Sequence, residues 1–185
     1  MAAALLSAAG EILETEGPDA LSVRRIAAAA GVAPMGVYNH FNSKFGIIEA
    51  LWVQGFERLR EATASIEEIQ DPYEGLAQCG RRYRSLALAN PMLYQIMFQR
   101  PVPGFEPSEQ AYEVAVQAFG TLVNATRRAM AAGVLAEGSP TDIAQILWAS
   151  VHGWVSLELL GIGFVEDHDA VFEHAHSALL RGLRP

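Results

Sequence analysis

The sequence predicts an all-α protein, with a small N-terminal unit of short helices followed by a larger domain of long ones. Three observations carry this. Alanine is abundant, and few segments alternate apolar and polar residues with a period of two. Apolar residues recur instead at helical spacing, as Leu5, Ala9, Ile12 and Leu13 do. Breaks at Gly17-Pro18, Gly31 and Asn42 cut the first quarter of the chain into short helices, while the later breaks leave long ones. With 51% apolar and 18% charged residues in 185, the chain has ample material for a core and no signature of disorder.

The elements follow in order. Residues 2 to 16 read as a first helix, stopped at Gly17-Pro18. Ser22 is the N-cap of a short second helix, "VRRIAAAA", and Gly31 ends it as a residue able to take the left-handed conformation just past a helix. Pro34 opens a third short helix, where its missing N–H costs nothing, and Asn42 breaks it. Ser43 caps a longer fourth helix over residues 44 to 66. Further helices are expected at 73–89, 91–99, 107–132, 140–161 and 168–182. The main breaks are Pro101–Pro107 and Gly133–Pro140.

Residues 21 to 41 therefore form helix, tight turn, helix, each about two turns long. Neither can bury much alone, so Leu21, Ile26, Ala27, Val32, Val37 and Phe41 are expected to close a shared core with the first helix. That is a helix-turn-helix unit. In such units the second helix lies in the DNA major groove with its N-terminal residues toward base edges. Pro34, Met35 and Gly36 head that helix here; they are small or apolar, and Met35 can touch a thymine methyl. Tyr38, Asn39 and His40 can hydrogen-bond phosphates or bases. Lys44 stands at the N-terminus of the next helix, where a cation and free backbone N–H groups can hold a phosphate.

The run "LSVRRIAAAAGVAPMGVYNHFNSKFGIIEAL" (21–51) resembles the DNA-binding region of the tetracycline-repressor (TetR) family. Its pattern of Leu-Ser/Thr, an Ile-Ala pair, Gly-Val-Ser and Tyr-x-His-Phe-x-x-Lys is met by Leu21, Ser22, Ile26, Ala27, Gly31, Val32, Tyr38, His40, Phe41 and Lys44. The resemblance covers about a sixth of the chain. It implies phosphate contacts by Ser22, Tyr38 and Lys44, and places Arg24, Pro34, Met35, Asn39 and His40 toward bases or nearby backbone, with Gly36 among them. Two positions depart from the pattern. Ala33 replaces the usual serine, losing a capping hydroxyl worth about 1 kcal/mol, and Gly36 replaces a frequent Thr or Ser. Members also commonly carry a basic arm ahead of the first helix; residues 1–10 hold no cation, so weak binding or a preceding segment is expected.

A second resemblance lies further on. "LWASVHGWVSLELLG" (147–161) is similar to a Trp-x-x-x-His-Gly signature in the ligand domain of one TetR branch, carried by Trp148, His152 and Gly153; "NPMLYQIMF" (90–98) fits the same branch. It implies a homodimer through the last two long helices, 140–161 and 168–182, and a ligand cavity among the preceding helices. Tyr83, Tyr94, Met97, Phe98, Phe119, Trp148 and His152 are the candidate ligand-binding residues, although aromatic and methionine stripes at helical spacing also build plain cores. Trp148 and His152, four apart, share a helix face.

Other features are read as structural. Arg81, Arg82 and Arg84 are expected on a solvated helix face. His168, His174 and His176, spaced six and two apart, do not converge on a metal and are expected at the surface or a dimer rim. Cys79, the one cysteine, permits no intrachain disulfide and reads as a small core residue. No nucleophile–base–orienter triad, phosphate-cradling loop or cofactor motif appears, so no enzymatic activity and no cofactor are expected.

The net charge of -8 runs against a global field for nucleic acid. Residues 1–50 carry Arg24, Arg25 and Lys44 against Glu11, Glu14, Glu16, Asp19 and Glu49. DNA binding must come from locally placed cations. Segment 146–165 is long enough to cross a bilayer, but it contains His152 and Glu158. An acidic residue near its centre costs about 2.5–3.5 kcal/mol, so a buried or dimer-forming helix is expected and no membrane association. The expected protein is thus a cytoplasmic, ligand-responsive transcriptional regulator. It is read as a homodimeric repressor of a palindromic double-stranded DNA operator, released by a small, largely apolar effector. Residues 1–46 would bind DNA, and 47–185 would bind ligand and dimerise. The alternative is a helical protein-interaction module with little DNA role, motivated by the acidic charge.

Overall fold

The computed structural model describes residues 1–99 and 102–185. Among them are nine α-helices and no strand: α1 (Ala2–Glu16), α2 (Val23–Ala29), α3 (Pro34–Phe41), α4 (Lys44–Ala64), α5 (Pro72–Ala89), α6 (Pro91–Phe98), α7 (Glu109–Ala131), α8 (Pro140–Leu159) and α9 (His168–Gly182). Of the break expected at Pro101–Pro107, Pro101 lies outside the described residues. The rest of that connection is anchored by Val102 and Phe105, both buried.

The helix ends follow local chemistry. The Ser22 hydroxyl accepts the Arg25 N–H at the start of α2, and Ser43 accepts the Gly46 N–H at the start of α4. Ser108 accepts the Ala111 N–H, which moves the start of α7 to Glu109, two residues past the expected 107. At the end of α2, Gly31 has φ 68°, and the Gly31 and Val32 N–H groups return to the Ala28 and Ala27 carbonyls, at 3.1 and 2.9 Å. This paired arrangement satisfies carbonyls that the helix leaves open. The expected helix over 44–66 ends as α-helix at Ala64 and continues as a 3₁₀ turn over Ser65–Glu68. Side chains hold that turn: Arg82 donates to the Ala62 carbonyl and Ser65 hydroxyl, and Arg128 to the Ile66 carbonyl at 3.0 Å.

The chain divides into two compact units, Met1–Glu57 with Asn90–Ala115, and Arg58–Ala89 with Val116–Pro185. In the first, Leu5, Leu13, Ile26, Val37, Ile47 and Ile48 are essentially inaccessible. Val32 and Phe41, expected in this core, are only half-buried at its edge. A second layer holds Trp52 and Phe56 against α6: the Trp52 indole N–H donates to the Met97 carbonyl at 3.2 Å, and the Phe56 and Phe98 rings meet edge to face at 5.4 Å.

The second unit packs α5, α7, α8 and α9 around Ile66, Leu76, Ala77, Cys79, Ala125, Ala129, Leu135, Leu147 and Leu180. Ala and Cys on α5 and α7 are small enough for close helix approach. Two of the three α5 arginines expected on a solvated face, Arg81 and Arg84, are ion-paired instead. Arg84 grips Glu158 of α8 with two bonds, 2.8 and 2.6 Å, and reaches Asp169 of α9 at 2.7 Å. Arg81 does the same to Glu173 at 2.8 and 2.9 Å. The α8 and α9 carboxylates that recruit them are more than 70 residues away in sequence, beyond any local periodicity.

Candidate functional site

The helix-turn-helix sorts its side chains by helical geometry. Val37 on α3 is fully buried and Phe41, one turn on, half-buried. Met35, Tyr38 and Asn39, at spacings of three and four, share the opposite face, with Met35 64% and Tyr38 50% exposed. His40 and Pro34 are also exposed, Gly36 partly so. On α2, Ser22 and Arg24 are exposed. Ser22 already spends its hydroxyl oxygen on the Arg25 N–H, and Arg25 pairs with Glu16 of α1. Lys44 is half-buried at the first position of α4. Ala33 makes no side-chain cap to α3, as its lack of a hydroxyl requires. Large apolar and aromatic side chains held outward on a two-turn helix have no use in the core of this unit; Val37 and Phe41 supply that.

One residue that sequence reasoning missed sets this geometry. Gly46, in the first turn of α4, lies against the end of α3. A Cβ built there would sit 1.8 Å from the Phe41 carbonyl oxygen and 2.9 Å from its carbon. Nothing in the sequence marks Gly46 apart from other helical glycines.

The candidate ligand residues fall in two places. Tyr94, Met97 and Phe98 belong to the first unit, on α6, with the Tyr94 and Phe98 rings 5.1 Å apart. Tyr83, Phe119, Trp148 and His152 come together in the second. The Tyr83 oxygen lies 2.8 Å from His152 Nδ1 and 3.4 Å from the Trp148 indole nitrogen; the Phe119 and Trp148 rings are 5.9 Å apart. Trp148 donates its indole N–H to the Tyr83 oxygen, and the Tyr83 hydroxyl shares a hydrogen bond with His152 Nδ1 whose direction the imidazole tautomer sets. Beside this cluster is an apolar cavity of about 30 Å³, lined by Leu76, Cys79, Tyr83, Leu147, Trp148 and His176 among others. That exceeds what one water needs. Burial pushes the Cys79 thiol up to about 12, well clear of thiolate chemistry.

His176 corrects the expectation of a surface histidine: it is only 5% exposed. Its ring stacks on Phe172 at 5.6 Å, and a Cβ at Gly80 would stand 2.4 Å from its Nε2. The signal was in the sequence, since Phe172, His176 and Leu180 are successive steps of four along one buried stripe. His174, two residues earlier, is exposed.

Burial, first of all, holds both His176 and His152 below the ordinary histidine range. For His176, Arg81 pushes the same way, while Glu173 and the carbonyls of Leu76 and Ala77 oppose it. The unfolded chain therefore binds protons that the folded chain refuses. Stability is full above the unfolded value near 6.5 and falls as pH drops from there toward the folded values. Thermal melts between pH 7.5 and 5.5 should show a falling Tm, and His176→Phe should flatten the dependence. An equally steep fall in the variant would assign the effect elsewhere.

On α8, Ile146, Ser150, Gly153, Leu157 and Leu160 follow one another at steps of four and three, all exposed in the single chain. Such a stripe has the spacing by which helices pair. Among the described residues, no helix is long and apolar enough to cross a membrane.

An outward-facing second helix after a glycine turn, on a buried three-helix core, defines the class: a helix-turn-helix transcriptional regulator. The chain belongs to the TetR family. Residues 5–51 match the bacterial regulatory proteins of the tetR family, and residues 76–179 match the tetracyclin repressor-like C-terminal domain. The chain is 29% identical to a protein of unknown function from Rhodococcus sp. RHA1, covering 100% of this chain and 95% of that one with a TM-score of 0.89. It is 25% identical over 174 residues to an HTH-type transcriptional regulator of Mycobacterium bovis, covering 78% of this chain and 74% of that protein. The TetR family regulator PfmR of Thermus thermophilus shares the fold, with a TM-score of 0.74, 21% identity, and 98% and 99% of the two chains covered. Members of this family are DNA-binding transcriptional regulators, a non-enzymatic class, and typically form dimers.

Proposed function

We propose that this protein is a homodimeric, effector-controlled repressor that binds a palindromic operator and works in the cytoplasm. Residues 1–46 act as the DNA-binding domain and 47–185 as the ligand-binding and dimerisation domain. The outward face of α3, with Met35, Tyr38 and Asn39 exposed opposite buried Val37, is the observation that carries the reading. Tyr38, Lys44 and Ser22 hold phosphates, while Arg24, Pro34, Met35, Gly36, Asn39 and His40 lie toward bases and adjoining backbone. The exposed stripe of α8 supports pairing of α8 and α9 across a two-fold axis, which sets the two recognition helices about one DNA turn apart. The effector is small and largely apolar and binds near Tyr83, Phe119, Trp148 and His152. It acts by binding the DNA-incompetent state more tightly than the DNA-bound one.

The test is selection of genomic fragments by the full-length protein, followed by titration of enriched sites at two salt concentrations. A palindrome bound as a dimer, with affinity falling steeply with salt, is the expected result. In the same titrations, Tyr38→Phe with Lys44→Ala should weaken binding by about tenfold or more across all sites and lower the salt slope. No enriched site, or a double variant of unchanged affinity and slope, would overturn the assignment.

A further inference from the structure

Among the described residues, His176 is a buried polar side chain with neither ring nitrogen bonded; the Leu76 and Ala77 carbonyls face the ring without completing a bond. A buried, unpaired polar group costs roughly 1–3 kcal/mol. Replacing it with Phe would extend the ring stacking already made by Phe172. Yet the chain places an imidazole here, and it opens the space by setting Gly80 beside it. The ring lines the cavity of the second unit, whose other walls are apolar side chains, the Cys79 thiol, and the Tyr83 and Trp148 rings.

We infer that His176 is the polar anchor of an effector site, and that the effector is a compact, neutral, hydroxyl-bearing hydrophobe rather than an anion. This rests on the proposed effector control and names its chemistry. A neutral imidazole presents a donor at one nitrogen and an acceptor at the other, and a hydroxyl group, which both donates and accepts, answers whichever of them faces it. Burial keeps that ring neutral. A carboxylate would need a buried cation, and no Arg or Lys lines the cavity. The α5 arginines are turned to other partners: Arg81 to Glu74 and Glu173, Arg84 to Glu158 and Asp169, and Arg82, whose charge reaches Cys79, to the Ala62 carbonyl and the Ser65 hydroxyl. The size limit comes from the cavity itself. At about 30 Å³ it accepts a single ring only if half-buried Leu122 and Trp148 swing aside. The buried walls, Leu76, Leu147 and Val151, are held by the core.

Phenol, toluene and benzoate test this, titrated into the full-length protein at pH 7.5 by calorimetry and by NMR with ¹³C-labelled histidine rings. Phenol should bind at least tenfold more tightly than toluene, benzoate should bind weakest, and phenol should move the His176 ring resonances. His176→Phe should bind phenol and toluene alike. Equal binding of phenol and toluene by the natural chain, tighter binding of benzoate, or no binding of any of them overturns the inference. So does a phenol preference that survives in His176→Phe. If that variant does not fold, the natural chain decides: phenol binding that leaves the His176 resonances in place is equally fatal. Phenol binding with the expected discrimination, but without release of operator DNA, supports the site and overturns effector control instead.

Discussion

Gly46→Ala should lose about 3 kcal/mol of stability and at least tenfold in operator affinity. The added methyl has nowhere to go. Its position is 1.8 Å from the Phe41 carbonyl oxygen, 2.9 Å from the carbonyl carbon and 3.4 Å from Cα, all backbone atoms. A crowding side chain can rotate away, but here α3 itself must move. Its last residue also accepts the Ser43 N–H at 2.6 Å, and Ser43 caps α4 through the Gly46 N–H at 3.2 Å. One methyl therefore strains the cap, the turn and the aim of Tyr38 and Lys44 together. Gly10→Ala is the control: its Cβ would meet nothing within 4 Å, and it should gain about 0.5–1 kcal/mol from helix propensity. Thermal melts and operator titrations of both variants check this. A Gly46→Ala protein as stable as Gly10→Ala would mean that the α3–α4 junction yields freely.

Arg84→Ala should cost about 3 kcal/mol or more. The Arg84 and Glu158 side chains are only 13% and 14% exposed, so solvent screens the pair poorly. Removing the guanidinium strands the Glu158 carboxylate among α5, α8 and α9. It also removes the cation from above the Phe172 ring, 5.0 Å away. Asp169 is 84% exposed and contributes little. The distinguishing variant is Arg84→Met with Glu158→Met, which removes both charges and keeps the volume. It should recover more than half of the loss, because the penalty comes from an orphaned charge rather than from a missing attraction. Urea denaturation of the three proteins checks the order. A double variant as unstable as Arg84→Ala would place the energy in the shape of the guanidinium contact.

The same two residues show where reading the sequence succeeds and where it stops. The helices of the N-terminal unit were legible because their signals are local. Ser22, Gly31, Pro34 and Ser43 each act within four residues of themselves, and each stands where its chemistry placed it. The all-helical character of the remainder was legible for the same reason. Gly46 was not, because its demand comes from a carbonyl on another helix. Arg84 looked like a charge on a solvated face, because its carboxylates lie on helices far along the chain. His176 carries two conflicting signals, a polarity that suggests the surface and a spacing from Phe172 and Leu180 that puts it inside. Tyr94, Met97 and Phe98 show a further limit: rings that pack a core and rings that border a cavity have the same composition. Trp52 and Phe56, which meet α6, announce nothing in sequence.

The solitary thiol of Cys79 gives the molecule a clock of its own. It is 7% exposed in the α5–α7–α8–α9 core and raised to about 12. Alkylating reagents attack only thiolates they can reach, so modification waits for that core to part. With no second cysteine in the sequence to confuse the signal, the rate of labelling of the unaltered protein counts its own breathing. Any compound that fills the neighbouring cavity would be seen to slow it.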